Sequence, residues 1–106
     1  MSDEQIQKYR LMSLKFIETN RNNLIKIYLE HSKIDGYGVM LINFSEVELK
    51  SNANVSYIPI EYLDADITEK INERKINNND DNIIYFFLIT PVEEKIIEID
   101  IRSLLN

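Results

Sequence analysis

The feature that most constrains this fold is an unbroken apolar run, Ile83–Ile89, which reads Ile-Ile-Tyr-Phe-Phe-Leu-Ile. Asparagine and aspartate dominate residues 77–82 before it, and Thr90-Pro91 follows it, so turn-forming residues bound the run on both sides. A short run of β-branched and aromatic residues with such flanks predicts a strand that is buried on both faces. A buried helix segment is the alternative, but helices rarely stop after so few residues. The strand therefore belongs in the middle of the core.

A second strand is expected shortly after this run. Between Ile97 and Ile101 isoleucines alternate with acidic residues, which is the period of a strand with one buried face. The turn between the two runs is short, so residues 83–101 predict an antiparallel hairpin.

Residues 2–33 have the period of a helix. Ser2 and Gln5 have the spacing of a capping box, and the two acidic residues between them favour a helix start. The apolar residues that share one broad side of this helix are Ile6, Tyr9, Met12, Phe16, Ile17, Leu24, Ile27 and Tyr28. Residues 19–23 are poor helix formers, so the segment is either one long helix or two, the second capped near Asn20 or Asn22.

The middle of the chain predicts shorter elements. Two strands are expected at 37–44 and 55–58, with a half-exposed strand around Val47 and Leu49 between them. A short helix is expected over 66–76.

Together these elements predict a single α+β domain that spans residues 1–106. In this architecture the long N-terminal helix, whole or broken near 19–23, and the short second helix pack on one face of a sheet. The sheet is mostly antiparallel, has four or five strands, and has the hairpin 83–101 at its centre. The strand order does not follow from the sequence.

Composition excludes several classes of function. The net charge is −6 and the pI is about 4.7, which argues against direct binding to a nucleic-acid backbone. There is no cysteine, which excludes disulfides and thiolate metal sites. No apolar run is long enough to cross a membrane, and the first residues are acidic and polar, unlike a signal peptide. A cytoplasmic protein is expected.

The sequence contains no recognisable catalytic motif. His31 is the single histidine and lies near Glu30 and Asp35, but spacing identifies no further partner for catalysis or metal binding. Only two glycines are present, Gly36 and Gly38, so a phosphate-binding loop is absent. We therefore expect no enzymatic activity, no cofactor and no metal site.

A second apolar stripe, on the opposite side of the N-terminal helical region, is a candidate interface. It consists of Leu11, Leu14, Ile25 and Leu29. Two interpretations remain open. In the first, the residues need no partner, because they are scattered surface leucines or because a break rotates the second half of the helix. In the second, the helix contacts two partners, one of which is another chain.

A candidate acidic surface is formed by four carboxylates on two of the expected strands. Glu46 and Glu48 share one strand face, as do Glu98 and Asp100. Such charges commonly solvate a strand and protect it from aggregation. The functional alternatives are a cation site, a docking surface for a basic partner, or mimicry of nucleic-acid charge.

These observations give three hypotheses for function. The first is a small non-enzymatic interaction, regulatory or assembly-accessory domain that docks on another protein or on itself. The alternative is an acidic inhibitor or immunity-type protein that blocks a basic, nucleic-acid-handling partner. The third is a small enzyme or ligand-binding protein that uses His31.

Overall fold

The structure, a computed structural model, describes residues 2–44, 53–77 and 82–104. It contains four helices and four strands over these ranges, together with one 3₁₀ turn at Ile60–Tyr62. In chain order the elements are α1 (Asp3–Thr19), α2 (Arg21–Asp35), β1 (Gly38–Asn43), β2 (Asn54–Pro59), α3 (Ala65–Asn77), β3 (Ile83–Ile89), β4 (Glu94–Asp100) and α4 (Ile101–Leu104). The α+β class is confirmed. The strand expected around Val47 and Leu49 lies outside the described residues.

The four strands form one mixed sheet in the order β2-β1-β3-β4. β1 is antiparallel to β2 and parallel to β3, and β3 is antiparallel to β4. The predicted hairpin is therefore confirmed, and its first strand is central, whereas β4 is an edge strand. All five residues between the ends of β3 are buried, as an apolar run of this kind predicts.

Helices cover both faces of the sheet. Alternate residues of the strands pack against α1 and α2 on one face, among them Met40, Ile42, Ile84 and Phe86. The intervening residues pack against α3 on the other face, among them Val39, Tyr85, Phe87 and Ile58.

The expectation that both helices lie on one face is wrong. β1 and β3 are parallel, and parallel strands need a crossover connection. α3 belongs to that connection and covers the face that α1 and α2 leave open.

The N-terminal helical region is two helices, as one of the two alternatives predicted. Asn20 separates them, and both its backbone N–H and its side-chain Nδ2 donate to the carbonyl oxygen of Phe16, at 3.0 and 2.9 Å. At the start of α1, the Ser2 hydroxyl accepts a hydrogen bond from the Gln5 backbone N–H at 3.4 Å.

Both glycines are required by the path of the chain between α2 and β1. Gly36 ends α2 with a φ of +75°, a backbone conformation that residues with a Cβ rarely adopt. At Gly38 an added Cβ would lie 2.4 Å from the carbonyl oxygen of Ile58 and 2.7 Å from the ring of Tyr57. The Tyr57 hydroxyl donates to the carbonyl oxygen of Gly36 and so holds this connection against β2.

Candidate protein-interaction groove

The outer side of α1 carries an apolar patch. The inner side of the helix is anchored by Ser13 and Ile17, which are buried against the sheet. Leu11 and Leu14, by contrast, expose 65% and 55% of their surface. Residues three apart are neighbours on a helix, so the two leucines form one patch that faces away from the core.

This patch lies at the edge of a groove of about 190 Å³ between α1 and the β3–β4 hairpin. Leu88 and Ile97, from the two strands of the hairpin, line the groove together with the two leucines. Its polar lining comes from both sides and consists of Gln7, Arg10, Ser13, Thr90, Glu93 and Lys95. The groove thus combines an apolar wall with charged groups, as protein-recognition sites do.

An ion pair connects the two walls of the groove. Arg10 of α1 donates two hydrogen bonds to Glu93 in the hairpin turn, from Nε to Oε1 at 2.9 Å and from Nη2 to Oε2 at 3.0 Å. These hydrogen bonds lower the pKa of the Glu93 carboxyl below its ordinary value of 4.5 and raise the pKa of Arg10. The bidentate geometry orients both side chains across the groove.

The hairpin turn itself is held by Thr90. Its hydroxyl oxygen accepts from the backbone N–H groups of Val92 and Glu93 at 3.3 and 3.1 Å. Glu93 therefore meets Arg10 from a turn whose backbone is already hydrogen-bonded.

The structure separates the four residues of the predicted apolar stripe. Leu11 and Leu14 line the groove. Leu29 is exposed on α2 but is not among the groove residues. Ile25 is only 6% exposed and belongs to the core, so its assignment to an exposed interface is wrong. A break in the helix was one of the interpretations of this stripe, and the break at Asn20 places Leu11 and Leu14 in α1 but Ile25 and Leu29 in α2.

Sequence reasoning missed further features of the surface. Ile34, at 83% exposed, and Tyr62 are large exposed apolar side chains. Nothing in their local pattern marks them, because Ile34 lies in the last turn of α2 and Tyr62 in a single 3₁₀ turn. The Arg10–Glu93 pair was also missed, because its partners are 83 residues apart in the chain.

The described half of the predicted acidic surface is ion-paired. Glu98 lies 3.3 Å from Arg74 of α3, and Asp100 lies 2.6 Å from Arg102. Hydrogen bonds from Arg102 lower the pKa of Asp100. Glu46 and Glu48 lie outside the described residues, so the acidic surface as a whole stays a prediction.

His31 is an exposed residue with one acidic neighbour. Its Nδ1 lies 3.4 Å from Oδ2 of Asp35, and its ring stacks on that of Tyr57 with centroids 5.6 Å apart. Within the described ranges no group of three or more His, Asp or Glu side chains is placed to hold a metal ion. The hypothesis of an enzyme or ligand-binding site that uses His31 stays a prediction.

Two tyrosines form a polar cluster on the α3 face. The hydroxyl oxygens of Tyr37 and Tyr85 are buried and make no hydrogen bond within the described part of the chain. Their rings meet edge to face with centroids 6.3 Å apart, and Nζ of Lys75 lies 3.7 Å from the centroid of Tyr37. Burial raises the pKa of both phenols.

No family model, curated protein or solved structure matches the chain. Among the described helices, none is both long and apolar enough to span a membrane. The functional proposal consequently rests on the geometry of the groove.

Proposed function

We propose that the protein is a small non-enzymatic docking module that binds another protein through the groove between α1 and the β3–β4 hairpin. The observation that carries this proposal is the exposure of Leu11 and Leu14 side by side at the edge of the groove. A regulatory or assembly-accessory role fits a module of this kind, because the consequence of docking depends on the partner.

The magnitude of the apolar contribution supports docking. Full burial of one leucine side chain contributes roughly 1.5–3 kcal/mol. Leu11 and Leu14 are 65% and 55% exposed, so covering both in an interface contributes roughly 2–4 kcal/mol. Micromolar binding corresponds to about 8 kcal/mol, so the two leucines supply part of it and other contacts supply the rest. Binding energy is typically concentrated in a few such residues.

The test is affinity capture from cells of the source organism with the full chain and two variants. The first variant is Leu11→Glu with Leu14→Glu. The matched control is Ile34→Glu with Tyr62→Glu, which places the same two charges on exposed apolar residues outside the groove. Thermal unfolding of all three proteins shows whether the substitutions preserve the fold.

We expect a specific partner that the control retains and the Leu11→Glu, Leu14→Glu variant loses. Light scattering of the purified chain distinguishes a second copy from another protein, since only self-association gives a dimer mass. The proposal is wrong if the folded Leu11→Glu, Leu14→Glu variant still captures every protein that the native chain captures and still forms any dimer that the native chain forms.

The alternative of an acidic inhibitor has less support, because Glu98 and Asp100 are both ion-paired with arginines. It predicts a basic partner whose binding weakens steeply as salt rises and does not depend on Leu11 and Leu14.

A further inference from the structure

We propose that the groove recognises an acidic amphipathic helix, that is, a partner segment with apolar residues on one face and Asp or Glu beside them. This inference rests on the proposed docking function and assigns its partner class. It follows from the distribution of charge around Leu11.

Cations surround the leucine patch on α1. The helical neighbours of Leu11, at three and four residues on either side, are Gln7, Lys8, Leu14 and Lys15. Both lysines are exposed. Neither forms an ion pair with any residue that the structure describes. Their ammonium groups are therefore available beside the apolar patch.

The opposite wall of the groove adds a further cation. Lys95 of β4 lines the groove and is exposed. The other charged lining residues are Arg10 and Glu93, which neutralise each other. The groove and the two lysines of α1 together carry a positive charge, although the chain as a whole has a net charge of −6. This local reversal of sign is what a partner would encounter.

Acidic residues occur on the same side of α1 only farther from the patch. Glu4 and Glu18 lie seven residues before and after Leu11. At 1.5 Å of rise per residue this corresponds to about 10 Å along the axis in each direction. The centre of the surface is therefore basic and apolar, with acidic groups at its ends.

The same charges disfavour a second copy as the occupant. If two α1 helices packed antiparallel about a two-fold axis near Leu11 and Leu14, Lys8 of one copy would lie beside Lys15 of the other. Like charges on facing helices oppose pairing. An acidic partner places carboxylates at these positions and has no such conflict.

The size of the groove favours side chains over a small molecule. Small-molecule pockets typically measure about 300–1,000 Å³, whereas this groove measures about 190 Å³. The open face of α1 with a groove along it resembles the surfaces that bind amphipathic helices through a few apolar anchors.

The test uses a displayed library of helical peptides as the probe. Apolar residues are constant on one face of every peptide, and the flanking positions are randomised. The full chain is the bait, and an uncharged variant, Leu11→Gln with Leu14→Gln, serves for counter-selection. The enriched peptides are then measured by fluorescence anisotropy against charge-reversal variants.

The decisive pair of variants has equal net charge. Lys8→Glu with Lys15→Glu reverses the cations beside the groove, and Lys26→Glu with Lys33→Glu reverses two exposed lysines of α2 that do not line it. We expect enrichment of Asp and Glu at the flanking positions of the selected peptides. Lys8→Glu with Lys15→Glu should weaken their binding about tenfold or more, equivalent to about 1.4 kcal/mol. Lys26→Glu with Lys33→Glu should weaken it at most slightly.

The other outcomes separate this inference from the docking function. Leu11-dependent peptides without acidic enrichment, or equal losses in both lysine pairs, would overturn the acidic partner class and leave docking intact. Peptides that need the native leucines for binding but are enriched in Lys or Arg would also overturn the acidic partner class and leave docking intact. If no peptide distinguishes the chain from the leucine variant, the inference and the groove as a docking site both fail.

Discussion

The two faces of the sheet are covered by helices of very different outer character. On the α3 face, the exposed residues of the helix are polar or small over its described side chains, and Ile71 is the one described side chain of α3 that is buried. On the other face, α1 buries Ser13 and Ile17 but also exposes two leucines. The comparison shows that a helix of this chain can cover the sheet with a polar exterior. The leucines of α1 are therefore an addition to what the fold needs.

The faces also differ in how polar groups are paired. On the α1 and α2 face, the Tyr57 hydroxyl donates to a backbone carbonyl, and Arg10 holds Glu93 through two hydrogen bonds. On the α3 face, the Tyr85 hydroxyl is buried without a described partner, and the ion pair Arg74–Glu98 has one contact of 3.3 Å. Of the side chains compared, those on the α1 and α2 face are thus the more completely hydrogen-bonded, and this is also the face with the open groove.

The largest loss of stability is expected when a buried core side chain is truncated on either face of the sheet. Phe86→Ala, under α1 and α2, should lower the free energy of unfolding by about 3–5 kcal/mol, and Ile71→Ala, in α3, by about 2–5 kcal/mol. Both side chains are fully buried. Urea unfolding followed by circular dichroism and fluorescence should give one transition for each variant, because β3 contributes to both faces.

Two separate transitions in the Ile71→Ala variant would contradict this expectation. They would mean that the α3 layer unfolds independently of the α1 and α2 layer.

A smaller effect is expected from removing one hydroxyl on each face. Tyr57→Phe should cost about 0.5–1.5 kcal/mol, because it removes the hydrogen bond to Gly36. Tyr85→Phe should be neutral or stabilising, because its hydroxyl is buried without a described partner. Chemical denaturation of the two variants provides the comparison, and an equal loss in both would remove the distinction between the faces.

The pH dependence of the Arg10–Glu93 pair should give the smallest effect, since exposed ion pairs contribute little. The pKa of Glu93 is lowered in the folded chain, so its contribution is complete above the ordinary value of 4.5 and is lost as the pH falls through the folded-state pKa. The stability difference between the native chain and Glu93→Gln should therefore be constant near neutral pH and shrink as the pH falls below 4.5. Glu94→Gln, which removes one negative charge from an exposed neighbouring residue with no described ion pair, is the control. A pH-independent difference for Glu93→Gln would contradict the expectation.

Local features of the fold were predictable from the sequence. The two shorter strands and the short helix begin and end within one residue of the expected 37–44, 55–58 and 66–76, because periodicity and turn residues are local signals. The exposure of Leu11 and Leu14 was also predictable, since both lie in one uninterrupted helix.

Features that depend on distant parts of the chain were not predictable. The position of α3 on the second face follows from the parallel pairing of β1 with β3, which no local pattern encodes. Ile25 was misassigned because the direction of α2 after Asn20 is set by packing on the sheet. The groove itself exists only where α1 meets a hairpin that lies more than 60 residues later in the chain.

The central position of β3 has a consequence for synthesis on the ribosome. Residues of β1 on both faces, such as Val39 and Met40, share their buried clusters with β3 side chains, and β3 lies after α1, α2, β1, β2 and α3 in the chain. A nascent chain that ends before Ile83 therefore carries α1, α2, β1, β2 and α3 without the strand that supplies several buried side chains to both clusters. During that interval its apolar surfaces are open to chaperones and to aggregation. Complete folding must wait until β3 has left the exit tunnel.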